Sequence, residues 1–233
     1  MNFQGRDVVI TGGTGGLGQA VVGGLLEAGA TCHVPYIAER ELQHFPYRNH
    51  PKVRLAPDVD LIRDDLVASF YDAVPKIWAS IHLAGGFAAI PLVDTKRADL
   101  MHQVELNLVT NFLCCQAAVR AMVRSGNGGR IVNVAARPAL EWRTGAGMTA
   151  YTATKAAVAA LTVALAEEVA KNGILVNAVA PSIIDTPANR TAMPKADHSA
   201  WPKPGEIAQT IAFLASPENQ VTRGAIVPVY GRV

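Results

Sequence analysis

Short apolar runs and stretches with helical spacing alternate along the whole chain. The predicted strands are Asp7–Thr11, Thr31–Val34, Val53–Leu55, Ala79–Leu83, Arg130–Ala135, Leu175–Ala180 and Ala225–Val229. The predicted helices are Leu17–Ala28, Glu39–Phe45, Asp64–Val74, Asp99–Ser125, Tyr151–Asn172 and Ile207–Ala215. Several strands are apolar on both faces, which is typical of parallel strands covered by helices on both sides. The pattern predicts a single α/β domain over residues 1–233: a Rossmann-like, doubly wound parallel sheet with helices on both faces.

One segment departs from this regular alternation. Ser182–Pro204 is rich in proline, alanine, polar and charged residues, and it follows directly after a predicted strand. Long excursions beyond the carboxyl end of a strand often carry binding residues. We therefore expect a substrate-side loop, with short mobile helices, at about residues 182–204.

Composition and charge exclude several classes of protein. Half of the residues are hydrophobic and 17% are charged, which excludes wholesale disorder. The net charge is +2 with no block of like charge, so nucleic acid and anionic membranes are not expected partners. No uninterrupted apolar run reaches about 18 residues, and no signal peptide precedes the first strand, so no membrane span is expected either. Three cysteines are too few for a disulfide scaffold and favour a reducing, cytoplasmic location.

A glycine-rich segment joins the first predicted strand to the first predicted helix. It reads Thr11-Gly12-Gly13-Thr14-Gly15-Gly16-Leu17-Gly18. Glycines let the backbone approach a pyrophosphate, and the free N–H groups of the helix N-terminus favour its negative charge. A tight turn alone would explain many glycine clusters, but this one lies where dinucleotides bind in parallel sheets. We interpret it as a nucleotide-binding loop.

Tyr151 and Lys155 lie four residues apart at the start of a long predicted helix, so they share one face. A nearby ammonium favours the phenolate and is expected to lower the pKa of Tyr151, which suits proton transfer. The six histidines show no metal-ligand spacing, and we expect no metal site.

Together these motifs resemble the short-chain dehydrogenase/reductase family over essentially the full chain. Thr11, Gly12, Gly16 and Gly18 match its Thr-Gly-x-x-x-Gly-x-Gly loop, and Tyr151 and Lys155 match its Tyr-x-x-x-Lys pair. The resemblance implies an NAD(P)-dependent oxidoreductase with a small-molecule substrate, and a homodimer or homotetramer formed through the two longest helices. It implies the catalytic residues Tyr151, Lys155 and Asn107, the last holding a proton-relay water. It implies the coenzyme-binding residues Gly12, Thr14, Gly16, Leu17, Gly18, Tyr36, Arg40, Asp60, Leu61, Ala84, Gly85, Lys155, Pro181, Ile184 and Thr186.

The chain departs from the family at three places. His82-Leu83-Ala84-Gly85 stands where most members have Asn-Asn-Ala-Gly, and Ser182 follows Pro181 where glycine is usual. Ala136 stands where the family places its catalytic serine, and no serine lies between Ser125 and Tyr151. The usual hydroxyl that orients a carbonyl substrate is therefore missing.

Dihydropteridine reductases form a branch of the family that also lacks this serine. The turn ending in Gly85-Gly86-Phe87, the serine-free segment before Tyr151, and the loop from Asp185 to Trp201 are similar to that branch. Reduction of a quinonoid ring forms no alkoxide at carbon, so the hydroxyl is less needed. The resemblance predicts a quinonoid or conjugated ring substrate, against Phe87, Ala136, Trp142, Met148, Met193 and Trp201. The alternatives are a ketone or 3-oxoacyl reductase, and a nucleotide-binding protein with weak turnover.

The residues after the second strand bear on the choice of coenzyme. Tyr36 stands where an acidic residue would bond the ribose 2′-hydroxyl of NAD and repel the 2′-phosphate of NADP, with Glu39 and Arg40 nearby. Without that acidic residue NADP is permitted, and Arg40 could pair with its phosphate. The sequence thus favours NADP over NAD.

Overall fold

The computed structural model describes residues 1–233 and contains one seven-stranded sheet in the order β3-β2-β1-β4-β5-β6-β7. Every neighbouring pair of strands is parallel. The strands are β1 (Asp7–Thr11), β2 (Thr31–Pro35), β3 (Val53–Ala56), β4 (Ile77–His82), β5 (Gly129–Val134), β6 (Ile174–Pro181) and β7 (Ile226–Val229). The predicted doubly wound fold is confirmed.

Helices cover both faces of the sheet. They are α1 (Gly16–Glu27), α2 (Asp64–Asp72), α3 (Arg97–Val104), α4 (Thr110–Ser125), α5 (Arg137–Leu140), α6 (Thr149–Glu168), α7 (Pro187–Ala192) and α8 (Pro204–Ala215). One apolar core lies beneath α1 and α8, and the other beneath α2, α4 and α6. The inner strands β1, β4, β5 and β6 are almost wholly buried because each face meets a helix layer, which is why apolar residues predominate in them.

Several elements differ in detail from the prediction. The helix expected over Asp99–Ser125 begins at Arg97 and contains a π-helical turn, Glu105–Val109, between α3 and α4. The helix expected at Glu39–Phe45 is a shorter 3₁₀ turn, Glu39–Leu42. The helix expected over Tyr151–Asn172 runs from Thr149 to Glu168 and continues as a separate 3₁₀ turn. The short helices between residues 137 and 145 were not predicted, because they span too few residues to show a period.

The segment 182–204 is tied to the body of the protein by hydrogen bonds. It contains α7 and a 3₁₀ turn, His198–Ala200. The backbone N–H of Asp185 donates to the carbonyl of Pro202 at 2.9 Å, which closes the segment on itself. The backbone N–H of Arg232 donates to the carbonyl of Ala200 at 2.9 Å, which joins the segment to the C-terminus.

Two helical stretches are long and apolar enough to cross a membrane by length and composition alone: Arg97–Ser125 and Thr149–Glu168. Core helices of globular proteins pass the same test, and both stretches pack here on the sheet and its neighbouring helices. Their outward faces nevertheless carry exposed apolar side chains, including Phe112 and Val163.

Candidate active site

The site lies at the carboxyl edge of the sheet, beside β1 and β4. The chain order reverses at this point, because β1 pairs with β2 on one side and with β4 on the other. The connections from the two strands leave on opposite faces and open a crevice between them, where nucleotides bind in such sheets.

The glycine loop forms the floor of this crevice. Gly12 has φ +65°, and a Cβ there would lie 2.7 Å from the backbone N of Ala84 in the turn after β4. A Cβ on Gly18 would overlap the carbonyl oxygen of Gly12, so only glycine is tolerated there. Helix α1 has no side-chain N-cap and no acidic residue in its first turn. Its first N–H groups are therefore left for an anionic group of a ligand, and a dinucleotide pyrophosphate fits this cradle.

The segment after β6 covers this helix N-terminus. A Cβ on Gly16 would lie 3.1 Å from Cγ2 of Thr186. The Thr186 side chain accepts from the backbone N–H of Asn189 and so caps α7. Pro181 ends β6, and the partly buried Ile184 packs against the larger core. The structure thus brings Thr186, which is far away in sequence, against Gly16 and the start of α1 on one side of the crevice.

The opposite end of the crevice is formed by the residues after β2. The Tyr36 hydroxyl donates to Oε1 of Glu39 at 2.8 Å, and the N–H of Val59 donates to the Tyr36 carbonyl at 3.1 Å. The second contact places Asp60 and Leu61 beside the end of β2, on the side predicted for the adenine. Arg40 is exposed on the 3₁₀ turn.

Tyr151 and Lys155 face the crevice from α6. Lys155 is buried and its Nζ donates to the carbonyl of Val134, at the end of β5, at 2.9 Å. Burial lowers the pKa of Lys155 to about 8 and raises the pKa of Tyr151 to about 12. The expected lowering of the Tyr151 pKa is wrong for this structure. Desolvation of the phenolate outweighs the ammonium, whose Nζ lies 6.0 Å from the centre of the Tyr151 ring.

Asn107 fastens the turn after β4 to the catalytic helix. Its side chain donates to the carbonyl of Gly86 at 3.0 Å and accepts from the N–H of the same residue at 3.0 Å. It also donates to Gln103 at 3.2 Å and to Oγ1 of Thr154 at 3.3 Å. A Cβ on Gly85 would lie 2.7 Å from Oδ1 of Asn107 and 3.6 Å from Nζ of Lys155. Asn107, Gly85 and Lys155 are therefore immediate neighbours.

Four of the six predicted substrate residues pack on Tyr151 or lie between β5 and the start of α6, and the other two lie in the segment after β6. The ring of Phe87 packs edge-to-face on Tyr151 with centroids 5.0 Å apart, and it stays 64% exposed. Ala136 is buried directly after β5, and Met148 immediately precedes α6. Trp142 is 74% exposed, with its indole N–H donating to the carbonyl of Ala139 at 3.1 Å.

The other two residues lie in the segment after β6. Trp201 is only 5% exposed and packs on the His198 ring at 4.6 Å, so it presents no open ring face to a substrate. The Met193 carbonyl lies 2.8 Å from Nε2 of the same histidine. Apolar residues in a loop can line a pocket or anchor the loop, and the sequence did not distinguish the two.

A buried polar network beneath the site was also missed. Nδ1 of His82 lies 2.8 Å from Oδ1 of Asn133, and Nε2 lies 2.8 Å from Oγ of Ser80. Asn133 bonds Asn111 on α4 at 3.1 Å and Thr162 on α6 at 2.9 Å. Burial lowers the pKa of His82 to about 4, so the ring is neutral and bonds as one tautomer. The network holds the two site helices to β4 and β5. The departure at His82 from the family's turn was its one visible sign in the sequence.

Comparison with known proteins agrees with this geometry. A sequence model described as short chain dehydrogenase matches residues 6–197. The chain belongs to the short-chain dehydrogenase family. It is 33% identical over 246 residues to (2S)-[(R)-hydroxy(phenyl)methyl]succinyl-CoA dehydrogenase subunit BbsD of Thauera aromatica, covering 99% of this chain and 97% of that protein. It is 31% identical to the 3-oxoacyl-[acyl-carrier-protein] reductase FabG of Thermotoga maritima, over 99% and 98% of the two chains.

A solved structure shows the same fold. A short-chain type dehydrogenase/reductase from Mycobacterium ulcerans has a TM-score of 0.90 and 26% identity, covering 100% of this chain and 90% of that one. As a short-chain dehydrogenase, the protein is an NAD(P)-dependent oxidoreductase. The open helix N-terminus and the crevice between β1 and β4 fit the coenzyme.

Proposed function

We propose that the protein reduces a flat conjugated or quinonoid ring, in the manner of a dihydropteridine reductase. The observation that carries this proposal is Ala136, which is buried beside the catalytic helix and offers no hydroxyl. The nearby Thr144 does not replace it, because its hydroxyl donates to the carbonyl of Glu141 at 2.8 Å on the protein surface. A carbonyl oxygen that becomes negatively charged would lack this donor, whereas a quinonoid ring does not need it.

The apolar surroundings of Tyr151 also support a flat substrate. Phe87 stands edge-on to the Tyr151 ring and exposes most of its own ring, and Ala136 adds an apolar surface after β5. Planar ligands gain from stacking on exposed aromatic rings. One exposed ring and one small apolar residue leave room for a conjugated ring beside the tyrosine hydroxyl.

Each site residue then has a chemical task. A bound nicotinamide coenzyme supplies the hydride. Tyr151 donates one proton to the ring from its hydroxyl, which burial keeps protonated at neutral pH. Lys155 is protonated below about pH 8 and holds the coenzyme ribose beside Tyr151. Asn107 fixes the turn that carries Gly85 and orders the water that connects Lys155 with solvent.

A carbonyl substrate is the second candidate. The relatives support it, since one is a 3-oxoacyl-[acyl-carrier-protein] reductase and another a (2S)-[(R)-hydroxy(phenyl)methyl]succinyl-CoA dehydrogenase subunit. Tyr151, Lys155 and Asn107 suit this reaction as well. Under this hypothesis the loss of the hydroxyl at Ala136 is damage and turnover is slow.

A third candidate is a nucleotide-binding protein with little turnover. The missing hydroxyl favours it, but the arrangement of Tyr151, Lys155 and Asn107 speaks against it. An unused site would have no need to keep a buried lysine and a fully bonded asparagine.

A substrate panel separates the three. Purified protein is assayed by nicotinamide absorbance, with NADH and NADPH separately, on a quinonoid dihydropterin, quinones, diketones and a 3-oxoacyl thioester. We expect the fastest turnover on the conjugated rings. Tyr151→Phe should lower it by about two to four decades while leaving coenzyme binding intact, because only the acid is lost. Turnover on the diketone or thioester alone would favour the second candidate. Binding without turnover, unchanged in Tyr151→Phe, would favour the third.

We also propose a homodimer or homotetramer in the cytoplasm. Phe112 and Val123 on α4 and Val163 on α6 are all more than 40% exposed, and a second copy would cover them. The three cysteines are free and buried, which suits a reducing compartment. Light scattering should give a multiple of the 24.6 kDa chain mass, and Phe112→Glu should shift it towards the monomer. Ile62→Glu, on a different surface, serves as the control, and a monomeric unmodified protein would reject the assembly.

A further inference from the structure

The carboxylate of Glu41 is fixed against the glycine loop. Its Oε1 accepts from the backbone N–H groups of Ile37 at 2.9 Å and Ala38 at 3.1 Å. Its Oε2 accepts from the Thr14 hydroxyl at 3.2 Å. Three donors, from the end of β2 and from the loop after β1, therefore hold one negative charge between the two strand ends.

This position is the adenosine end of the crevice. Thr14 belongs to the loop that carries the pyrophosphate cradle, and residues 36–38 follow the neighbouring strand. A ribose between these two segments would lie beside Oε2 of Glu41. That oxygen receives a single proton from the protein, so it keeps a lone pair for a ligand hydroxyl.

The other charged side chains nearby do not neutralise the negative charge of Glu41. Glu39 is engaged by the Tyr36 hydroxyl at 2.8 Å and by Arg48 at 3.2 Å. Arg40 is exposed and forms no ion pair, so its charge is screened by water, whereas the Glu41 carboxylate is held in place.

We propose that Glu41 selects the coenzyme, accepting a hydrogen bond from the adenosine ribose 2′-hydroxyl of NAD and repelling the 2′-phosphate of NADP. This inference rests on the coenzyme binding that the proposed function requires. It reverses the NADP preference that the sequence suggested. The sequence suggested NADP because residues 36–40 offer no acidic side chain at Tyr36 and a nearby arginine. It does not show that the carboxylate of Glu41 reaches back to Thr14.

Calorimetric binding of NADH and NADPH tests the proposal without any turnover. We expect the unmodified protein to bind NADH at least about tenfold more tightly than NADPH, because a carboxylate next to a phosphate discriminates strongly. Glu41→Gln should narrow that ratio by about tenfold, mainly through tighter NADPH binding. Glutamine can still accept from Ile37 and Ala38 and can donate to Thr14, so the loop geometry should survive. Glu39→Gln is the matched control, and it should change the ratio by less than about twofold.

A second measurement uses the unmodified protein and tests the role of Glu41 even if Glu41→Gln does not fold. Adenosine 5′-monophosphate should compete with NADH more strongly than adenosine 2′,5′-bisphosphate does. Three results would overturn the role of Glu41 and leave the oxidoreductase function standing. They are NADPH binding as tight as NADH binding, an unchanged NADH-to-NADPH affinity ratio in folded Glu41→Gln, and stronger competition by the bisphosphate than by the monophosphate. Binding of neither coenzyme would overturn the proposed function, and this inference with it.

Discussion

Replacement of Asn107 by alanine should loosen the turn after β4 and so disable the site more than the fold. The side chain has four hydrogen-bond partners, two of them on the backbone of Gly86. Its two N–H protons and its oxygen can make three full bonds at one time. At roughly 0.5–1.5 kcal/mol net for each of three bonds, the loss is about 1.5–4.5 kcal/mol, reduced somewhat because water can reach the half-buried Gly86. For a chain of this length, that lowers the melting temperature by on the order of 10 °C.

The effect on activity should exceed the effect on stability. The freed turn carries Gly85, which lies next to Lys155, and Phe87, which packs on Tyr151. Misplacement of positioning groups by about 1 Å can cost roughly 100-fold in rate. We therefore expect kcat to fall about 100-fold, with NADH affinity weakened by less than about tenfold.

Asn111→Ala is the matched control for this experiment. Asn111 is buried one helical turn further along and bonds Asn133 at 3.1 Å, but it does not touch the Gly86 turn. It should reduce stability by a smaller amount, because Asn111 has fewer hydrogen-bond partners, and it should leave kcat within a few-fold of the unmodified protein at a temperature where both variants are folded. Differential scanning fluorimetry and steady-state assays measure the two effects. Equal loss of kcat in both variants, or full activity in Asn107→Ala, would refute the anchoring role.

Three further outcomes follow from the geometry of the site. Gly16→Val should weaken NADH binding about 10- to 100-fold, because the valine side chain would fill the gap below Thr186. Gly24→Ala, in the same helix, places its methyl group in open space and should bind NADH normally. Calorimetry that finds the same NADH affinity in the two variants would contradict this prediction. The pH profile of kcat/KM should fall as pH rises through about 8, since Lys155 loses its positive charge there, and a flat profile to pH 10 would argue against this role. Ala136→Ser should leave dihydropterin reduction unchanged or slower, because a buried hydroxyl without a partner costs about 1–3 kcal/mol. A large gain on a diketone, with no dihydropterin activity in either protein, would instead identify a carbonyl reductase.

The sheet could be predicted from sequence because its strands are covered on both faces. That environment leaves continuous apolar runs, such as Val8-Val9-Ile10, which lies between Gly5 and Gly12. The glycine loop and the Tyr151–Lys155 pair were equally visible, since each depends on a fixed local spacing next to a recognisable element.

Contacts between distant segments could not be predicted in this way. Glu41 and Thr14 are 27 residues apart, and nothing in either segment indicates that their side chains meet. The pKa of Tyr151 depends on how deeply folding buries the phenol, which spacing from Lys155 does not reveal. Trp201 is apolar in a polar loop, and only the packing on His198 shows that it anchors that loop.

The π-helical turn at Glu105–Val109 has a consequence for insertions and deletions. Such a turn holds one residue more than an α-helical turn, so it rotates the residues before it by about 100° relative to those after it. Because of this offset, α3 and α4 each face their own partners, and Asn107 lies at the point where the phase changes. Removal of one residue from this turn would restore a continuous α-helix and turn Asn107 away from Gly86 while α4 kept its place on the sheet. The position of Asn107 against Gly86 therefore depends on the number of residues in this turn as well as on the asparagine itself.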